Sequence, residues 1–142
     1  MDKNKSLTIE ENFNLAIKNH QENKTDIAQK LYNQVLKINP NHSQTLNNIA
    51  VIFTNSKDYQ KAISSYEKAI EINPNFADAH YNLGVIFMKL RDYQKAISCY
   101  EKVIESNPNY AKAYYNQGNT YSELGDYQKA LVCYDKAIKI NP

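Results

Sequence analysis

The chain has 142 residues, a length typical of one domain that can bury a core. Charged residues make up 23% of it and hydrophobic residues 42%, with three glycines and four prolines, which excludes collagen-like, low-complexity and wholly disordered classes. The formal net charge of +2 comes from interleaved acidic and basic residues without a basic stripe, so nucleic acid is not a predicted partner.

The sequence predicts neither a membrane-spanning segment nor a signal peptide. No apolar run approaches the roughly 18 residues that a membrane helix needs. The amino-terminal stretch MDKNKSLTIEEN lacks the apolar middle part of a signal peptide. We therefore expect a cytoplasmic protein with no membrane partner.

The first helix is predicted to begin at Ile9. Thr8 and Glu11 have the spacing of a capping box, in which each side chain accepts a hydrogen bond from the other residue's backbone amide. Residues 1–8 are therefore predicted to form a flexible leader, and residues 9–142 to form the folded domain.

Within residues 9–142, one sequence motif recurs at a spacing of 34 residues. The stretch YQKAISSYEKAIEINPN begins at Tyr59, and YQKAISCYEKVIESNPN begins at Tyr93, with 14 of 17 positions identical. A third copy begins at Tyr127 and a degraded one at Thr25. A fixed period of this length predicts stacked repeats rather than one globule. The predicted units are residues 9–42, 43–76, 77–110 and 111–142.

Each unit is predicted to contain two amphipathic helices. In the third unit, apolar residues recur at helical spacing within residues 83–90 and again within 93–104. We expect the second helix of a unit to be capped by Asp58, Asp92 or Asp126. The following Asn-Pro pair should end it, because proline cannot donate a backbone hydrogen bond. We expect Asn75 and Asn109 to cap the next helix.

Small and aromatic residues recur at fixed positions on the two helices of a unit. Small residues on both helices would allow a close approach, and aromatic residues would fill the space beside them. The small positions are Ala16, Ala50, Gly84 and Gly118 on the first helices, with Ala28, Ala62, Ala96 and Ala130 on the second. The aromatic positions on the second helices are Tyr32, Tyr66, Tyr100 and Tyr134.

In these features the chain resembles a tetratricopeptide repeat protein. The family pattern appears as AHYNLGVIF…YQKAISCYEKVIESNP in the third unit and as AYYNQGNTYSELGDYQKALVCYDKAIKINP in the fourth. The resemblance implies an all-α fold, an α-solenoid of four helix-turn-helix repeats forming a right-handed superhelix. A single unit should be unstable alone, because stacking is what covers its apolar flanks. The fourth position of a unit departs from the family's aromatic residue in Asn12, Leu46 and His80.

The resemblance also implies a protein-binding groove on the concave side, lined by the first helices. Carboxamides at one repeat position would offer donors and an acceptor to the backbone of an extended peptide. Tyr81 and Tyr115 would add rigid contact area, or would only pack against neighbouring helices. The predicted groove residues are Asn14, Asn48, Asn82, Asn116, Tyr81, Tyr115, Val51, Val85, Asn119 and Lys112.

No catalytic residue, metal site or cofactor is predicted. The three histidines stand at three different repeat positions, and the carboxylates are scattered along solvated faces. Cys99 and Cys133 occupy equivalent positions of consecutive units and lack the spacing of a metal or redox pair. Phosphate-binding and hydrolase motifs are absent from the sequence. We therefore expect a protein or peptide partner of unknown identity rather than an enzymatic substrate.

The flank of the last unit suggests two alternatives to peptide binding. Solenoids normally close with a polar outer face, whereas this flank carries Leu131, Tyr134 and Ile138. The chain is then either a fragment of a longer protein or a module that self-associates through these three residues. If it is a fragment, the resemblance also allows a non-catalytic substrate-recognition arm of a larger transferase-type protein.

Overall fold

A computed structural model describes residues 6–142, so residues 1–5 of the predicted leader lie outside the described part. Eight α-helices and no strand occur within residues 6–142. The helices are α1 (Ile9–Gln21), α2 (Thr25–Ile38), α3 (Ser43–Asn55), α4 (Tyr59–Ile72), α5 (Ala77–Lys89), α6 (Tyr93–Ser106), α7 (Ala111–Glu123) and α8 (Tyr127–Ile140). The all-α helical repeat class is therefore confirmed. No helix in this range combines the length and the apolar character needed to cross a membrane.

Several helices begin where their capping residues predict. The hydroxyl of Thr8 accepts a hydrogen bond from the amide of Glu11 at 3.1 Å, and the Glu11 carboxylate accepts one from the Thr8 amide at 2.8 Å. Asp92 and Asp126 accept hydrogen bonds from the third amide of α6 and of α8 at 3.3 and 3.2 Å. These contacts satisfy amides that have no partner within the helix.

The predicted caps of α5 and α7 are wrong. The N-cap residues are Phe76 and Tyr110, each one position after the asparagine that we expected, and neither makes a side-chain cap. Asn109 instead donates its backbone amide to the side chain of Asn107 at 3.2 Å. The asparagines around the proline thus stabilise the turn and leave the aromatic residue at the helix entrance.

The helices form two compact units, one that ends at Ile72 and one that spans Asn73–Pro142. In the first unit, α1 packs against α2 and α3 against α4, and α2 contacts α3. In the second unit, α5 packs against α6 and α7 against α8, and α7 contacts both α5 and α6. Each unit is therefore a pair of helical hairpins with one interface between the hairpins. The division of the chain into four repeats remains a prediction.

Buried tyrosines pack against small residues inside the hairpins. Tyr32, Tyr66 and Tyr100 are the largest fully buried side chains. The alanines predicted to permit a close approach on α2, α4 and α6 have no exposed surface. A Cβ atom at Gly84 would lie 2.8 Å from a ring carbon of Tyr100, and one at Gly118 would lie 2.7 Å from Tyr134. The hairpin spacing of the second unit therefore depends on the missing side chains of these two glycines.

Replacing Gly84 by alanine should destabilise the protein more than the same change at Gly118. Alanine gains up to about 1 kcal/mol of helix propensity over glycine, whereas overpacking costs about 1–3 kcal/mol. The buried ring of Tyr100 cannot move away, but the half-buried ring of Tyr134 can. We expect a net loss of about 1 kcal/mol for Gly84→Ala and little change for Gly118→Ala in urea denaturation. Equal losses at both positions would contradict this account.

Candidate interaction site on the first helices and the α7–α8 hairpin

Tyr81, a predicted groove residue, lies at the interface between the hairpins of the second unit. Its ring centroid is 5.3 Å from that of Tyr110 and 6.1 Å from that of Tyr100. The Tyr110 hydroxyl donates a hydrogen bond to the carboxylate of Asp78 at 3.1 Å. Burial, followed by the charge of Asp78, raises the pKa of Tyr110 to about 12. Tyr81 thus packs against a neighbouring helix, and its contact with a ligand remains a prediction.

Two of the predicted groove asparagines, which share one repeat position, also have contacts within the protein. In the second unit, the Asn116 carboxamide donates a hydrogen bond to the Tyr81 hydroxyl at 2.9 Å. In the first unit, Asn48 donates to the hydroxyl of Tyr32 at 3.3 Å. Burial raises the pKa of Tyr32, and the Asn48 hydrogen bond opposes that rise. One N–H of each carboxamide thus binds a tyrosine of the preceding hairpin, and the Asn48 oxygen also accepts a hydrogen bond from the Asn47 side chain at 3.3 Å.

The first unit contains the same ring contact between its hairpins. His42 precedes α3 as Tyr110 precedes α7, and its ring centroid lies 4.9 Å from that of Phe13. His42 also caps α3, because its Nδ1 accepts the amide of Thr45 at 3.3 Å. We define an entrance ring as the ring of the residue directly before a first helix, namely His42, Phe76 and Tyr110. The sequence analysis missed all three, although they recur with the repeat period.

The α7–α8 hairpin carries a pocket of about 590 Å³. Three of its lining residues, Lys112, Tyr115 and Asn119, were predicted for the groove, and two, Tyr134 and Ile138, for self-association. The remaining lining residues are Ala111, Ala137 and Asn141. We call this site the α7–α8 pocket. The structure therefore joins two sets of residues that the sequence analysis kept apart.

The walls of the α7–α8 pocket are mainly apolar and its rim is polar. The rings of Tyr115 and Tyr134 form one wall, with centroids 5.8 Å apart. The Tyr134 hydroxyl donates to the carboxamide oxygen of Asn119 at 2.6 Å, so these two side chains line the pocket together. Tyr115 is 55% exposed, although it occupies the repeat position of the half-buried Tyr81. The pocket can thus accept an apolar group against its rings and a polar group at Lys112.

The other predicted residues lie outside this pocket. Asn14 is exposed on α1, and Val51 on α3 is half-buried in the first unit. Asn82 and Val85 are half-buried on α5 in the second unit. Leu131 is 62% exposed on α8 but does not line the pocket. The binding roles of all these residues remain predictions.

The cysteines have buried positions in the second unit. Cys99 and Cys133 are both buried and form no disulfide. The Cys133 thiol donates to the side-chain oxygen of Gln117 at 3.4 Å, and burial raises the pKa of this thiol. Within the described range, no group of three or more His, Cys, Asp or Glu side chains could hold a metal ion.

Replacing Asn116 by alanine should destabilise the protein, whereas Asn14→Ala at the same repeat position should not. Loss of the hydrogen bond to the Tyr81 hydroxyl costs about 1 kcal/mol. Asn14 is exposed, and alanine is a slightly better helix former there. Urea denaturation of both variants checks this difference. A stability of Asn116→Ala equal to that of the unmodified protein would show that the carboxamide has no structural role.

Sequence comparison matches the chain to profiles described as tetratricopeptide repeat over residues 31–64, 77–110 and 111–142, and as TPR repeat over residues 51–91. Together these matches span residues 31–142. No curated protein matches the chain in sequence.

Solved structures share the fold over nearly the whole chain. MamA AMB-1 is 20% identical with a TM-score of 0.79, and the match covers 94% of this chain and 73% of that protein. PilF of Pseudomonas aeruginosa is 19% identical with a TM-score of 0.87, covering 95% of this chain and 62% of that protein. A double mutant of MamA RS-1 is 23% identical with a TM-score of 0.85, covering 94% and 75%. The profile matches and the shared fold agree with the helical hairpins described above, and the chain belongs to the tetratricopeptide repeat family.

Proposed function

We propose that this protein is a protein-interaction scaffold that binds an extended peptide or partner segment along its first helices. Membership of the tetratricopeptide repeat family supports the scaffold role. The observation that carries the peptide proposal is the surface of α7, where the exposed ring of Tyr115 lies beside Asn119 and Lys112 around an open pocket. Such a surface offers both apolar area and hydrogen-bonding groups to a chain of unpaired amides.

The proposed groove of the second unit continues from the pocket onto α5. Asn82 and Val85 are half-buried there, so each keeps accessible surface for a ligand. Asn116 stands between the two groups of residues and keeps its carboxamide oxygen beyond its bond to Tyr81. In the first unit, Asn48 keeps one N–H, because its other N–H binds Tyr32 and its oxygen accepts from Asn47. A peptide backbone could therefore meet carboxamides at successive repeats whatever its sequence.

The proposal includes no chemical step and no cofactor. The absence of catalysis and the cytoplasmic location remain predictions from the sequence. The recognition-arm alternative also stays a prediction, since it depends on a transferase domain in the same protein.

Peptide binding in the groove should be weakened by changes on either side of Asn116. A displayed library of unstructured 15-residue peptides supplies the ligands, and titration calorimetry measures the affinity of the selected ones. We expect Asn82→Ala to weaken binding about threefold to tenfold, as for one lost hydrogen bond, and Tyr115→Ala to weaken it at least about tenfold. Tyr127→Ala is the matched control, because Tyr127 is 66% exposed and does not line the pocket.

The control must bind as tightly as the unmodified protein. Selected peptides that bind Asn82→Ala and Tyr115→Ala with unchanged affinity would remove the groove from the proposal. Circular dichroism of both variants verifies that their helical content is retained.

Self-association is the second candidate function, favoured by the exposed apolar side chains of α8. Leu131 and Ile138 are each 62% exposed, whereas Ile97, at the repeat position of Leu131 in α6, is 7% exposed. Contiguous apolar surface of this kind often marks an interface. Tyr134 is half-buried and bonded to Asn119, so it contributes less surface than the sequence analysis expected.

Self-association predicts a dimer that a charge on α8 disrupts. Sedimentation velocity over a range of concentrations measures the oligomeric state of the unmodified chain. We expect Leu131→Glu and Ile138→Glu to give monomers, because a buried unpaired carboxylate opposes association. Ile27→Glu, at a 50% exposed position on α2, should leave the dimer intact. An unmodified chain that stays monomeric throughout excludes this candidate.

A further inference from the structure

We propose that Tyr81 and the buried Tyr100 compete for the carboxamide of Asn116, and that a ligand N–H which binds the Tyr81 hydroxyl transfers this carboxamide to Tyr100. Tyr81 would then determine what the groove of the second unit recognises, namely a hydrogen-bond donor such as a peptide amide. The ligand step rests on the proposed binding of an extended peptide. The competition between the two hydroxyls does not depend on that function.

The hydroxyl of Tyr100 is buried and has no hydrogen-bond partner within residues 6–142. Tyr100 has no exposed surface, and its hydroxyl oxygen is out of reach of solvent. Burial raises the pKa of Tyr100, and the nearby carboxamide of Asn116 opposes that rise, although the geometry between them is not that of a hydrogen bond. Folded proteins rarely leave a buried hydroxyl unpaired, because the loss of its hydration is then not compensated.

The repeat places Asn116 where it could serve Tyr100. Tyr32 and Tyr100 occupy the same repeat position on second helices. Asn48 and Asn116 likewise share one position on the first helices that follow. Asn48 donates to the Tyr32 hydroxyl at 3.3 Å, so an asparagine at this position can reach the buried tyrosine. In the second unit, the carboxamide of Asn116 instead donates to the Tyr81 hydroxyl, at 2.9 Å.

The two units differ in the ring that packs against the buried tyrosine. In the first unit this ring belongs to Phe13, whose centroid lies 6.2 Å from that of Tyr32 at an interplanar angle of 53°. In the second unit it belongs to Tyr81, 6.1 Å from Tyr100 at the same angle of 53°. The rings are arranged alike, so the main difference is the hydroxyl of Tyr81. Phenylalanine leaves the asparagine to the buried tyrosine, whereas Tyr81 offers a competing acceptor.

Tyr100 also lacks the partner that another second-helix tyrosine finds in its own hairpin. Tyr134, at the same repeat position, donates to Asn119 of α7 at 2.6 Å. The position of Asn119 corresponds in α5 to Val85, whose side chain has no hydrogen-bonding group. Asn116 is therefore the carboxamide on which the hydroxyl of Tyr100 depends.

Opposing effects keep the two positions of the Asn116 carboxamide close in free energy. The short bond to Tyr81 favours the observed position. The unpaired hydroxyl of Tyr100 favours the other, because water can reach the half-buried Tyr81 but not Tyr100. A hydroxyl that leaves a buried group unpaired, at a position where phenylalanine packs equally well, adds little to stability. Such a residue is expected to have a functional role, and the half-buried Tyr81 has surface left for a ligand.

The ligand group that completes the exchange must be a hydrogen-bond donor. The Tyr81 oxygen accepts from an N–H of Asn116 in this structure. A ligand N–H that takes this role frees the carboxamide, which can then donate to Tyr100 as Asn48 donates to Tyr32. An extended peptide offers such N–H groups along its backbone. The ligand binds only one of the two positions well, so it shifts the equilibrium between them.

Phenylalanine variants of the whole protein test the competition without a ligand. Tyr32→Phe removes a paired hydroxyl and should lower the midpoint of urea denaturation by about 0.3–1 M. Tyr100→Phe removes an unpaired one and should leave the midpoint unchanged or raise it. Tyr81→Phe should not lower it either, because Asn116 then binds Tyr100. Equal losses for Tyr32→Phe and Tyr100→Phe, or a loss for Tyr81→Phe, overturn the inference.

Nuclear magnetic resonance of tyrosine labelled at ring carbon ζ detects the exchange itself. Tyr81→Phe should shift the Tyr100 signal, and adding Asn116→Ala should cancel that shift. Tyr127→Phe is the matched control, since Tyr127 is 66% exposed on α8, and it should leave the Tyr100 signal unchanged. A shift that persists with Asn116→Ala reflects only the neighbouring ring, and it overturns the exchange as surely as no shift does.

The peptides selected from the displayed library serve as probes of the ligand step. Tyr81→Phe should weaken their binding about threefold to tenfold, as for one lost hydrogen bond, whereas Tyr127→Phe should not. Methylation of one backbone nitrogen of the peptide should cause a similar loss with the unmodified protein and no further loss with Tyr81→Phe. Unchanged affinity for Tyr81→Phe overturns the ligand step. A library without any binder removes the proposed function and the ligand step together, while the denaturation and labelling results still decide the competition.

Discussion

The close approach of the two helices in each hairpin is the constraint on which the rest of the structure depends. In α2, α4 and α6 a tyrosine is buried completely beside alanine or glycine of the first helix, as the short distance from Gly84 to Tyr100 shows, whereas Tyr134 of α8 is half-buried. Protein interiors are packed densely, so a larger residue there would separate the helices. The spacing of the helices within a hairpin therefore depends on these small residues.

That constraint creates a second one, because a buried tyrosine brings a polar hydroxyl with it. A buried hydroxyl without a partner costs free energy, and the next first helix can supply the partner. Asn48 does this for the buried Tyr32 in the first unit, whereas in the second unit Asn116 binds Tyr81, a half-buried tyrosine of the first helix. The carboxamides that suggest a ligand ladder are therefore part of the packing between hairpins. A ligand in the groove could use only those donors and acceptors of the carboxamides that the contacts between hairpins do not already occupy.

The sequence predicts the helices and their spacing well, because both follow from local pattern. Periodic apolar residues, the capping aspartates and the small residues each act within one hairpin, and the structure confirms them. The caps of α5 and α7 could not be predicted from local pattern. Asn109 suits either a helix N-cap or a turn, and in the structure its backbone amide donates to Asn107 within the turn. The α7–α8 pocket was also missed as one site, because repeat position alone does not show that Lys112 and Ile138 line the same cavity.

The α7–α8 pocket differs energetically from the interface between the hairpins of its unit. Within the chain, α7 is tethered to α6 by a short turn, so its contacts with α5 form at high effective concentration. A ligand that enters the pocket from solution must instead lose translational and rotational freedom, so contacts of the same kind would give only modest affinity.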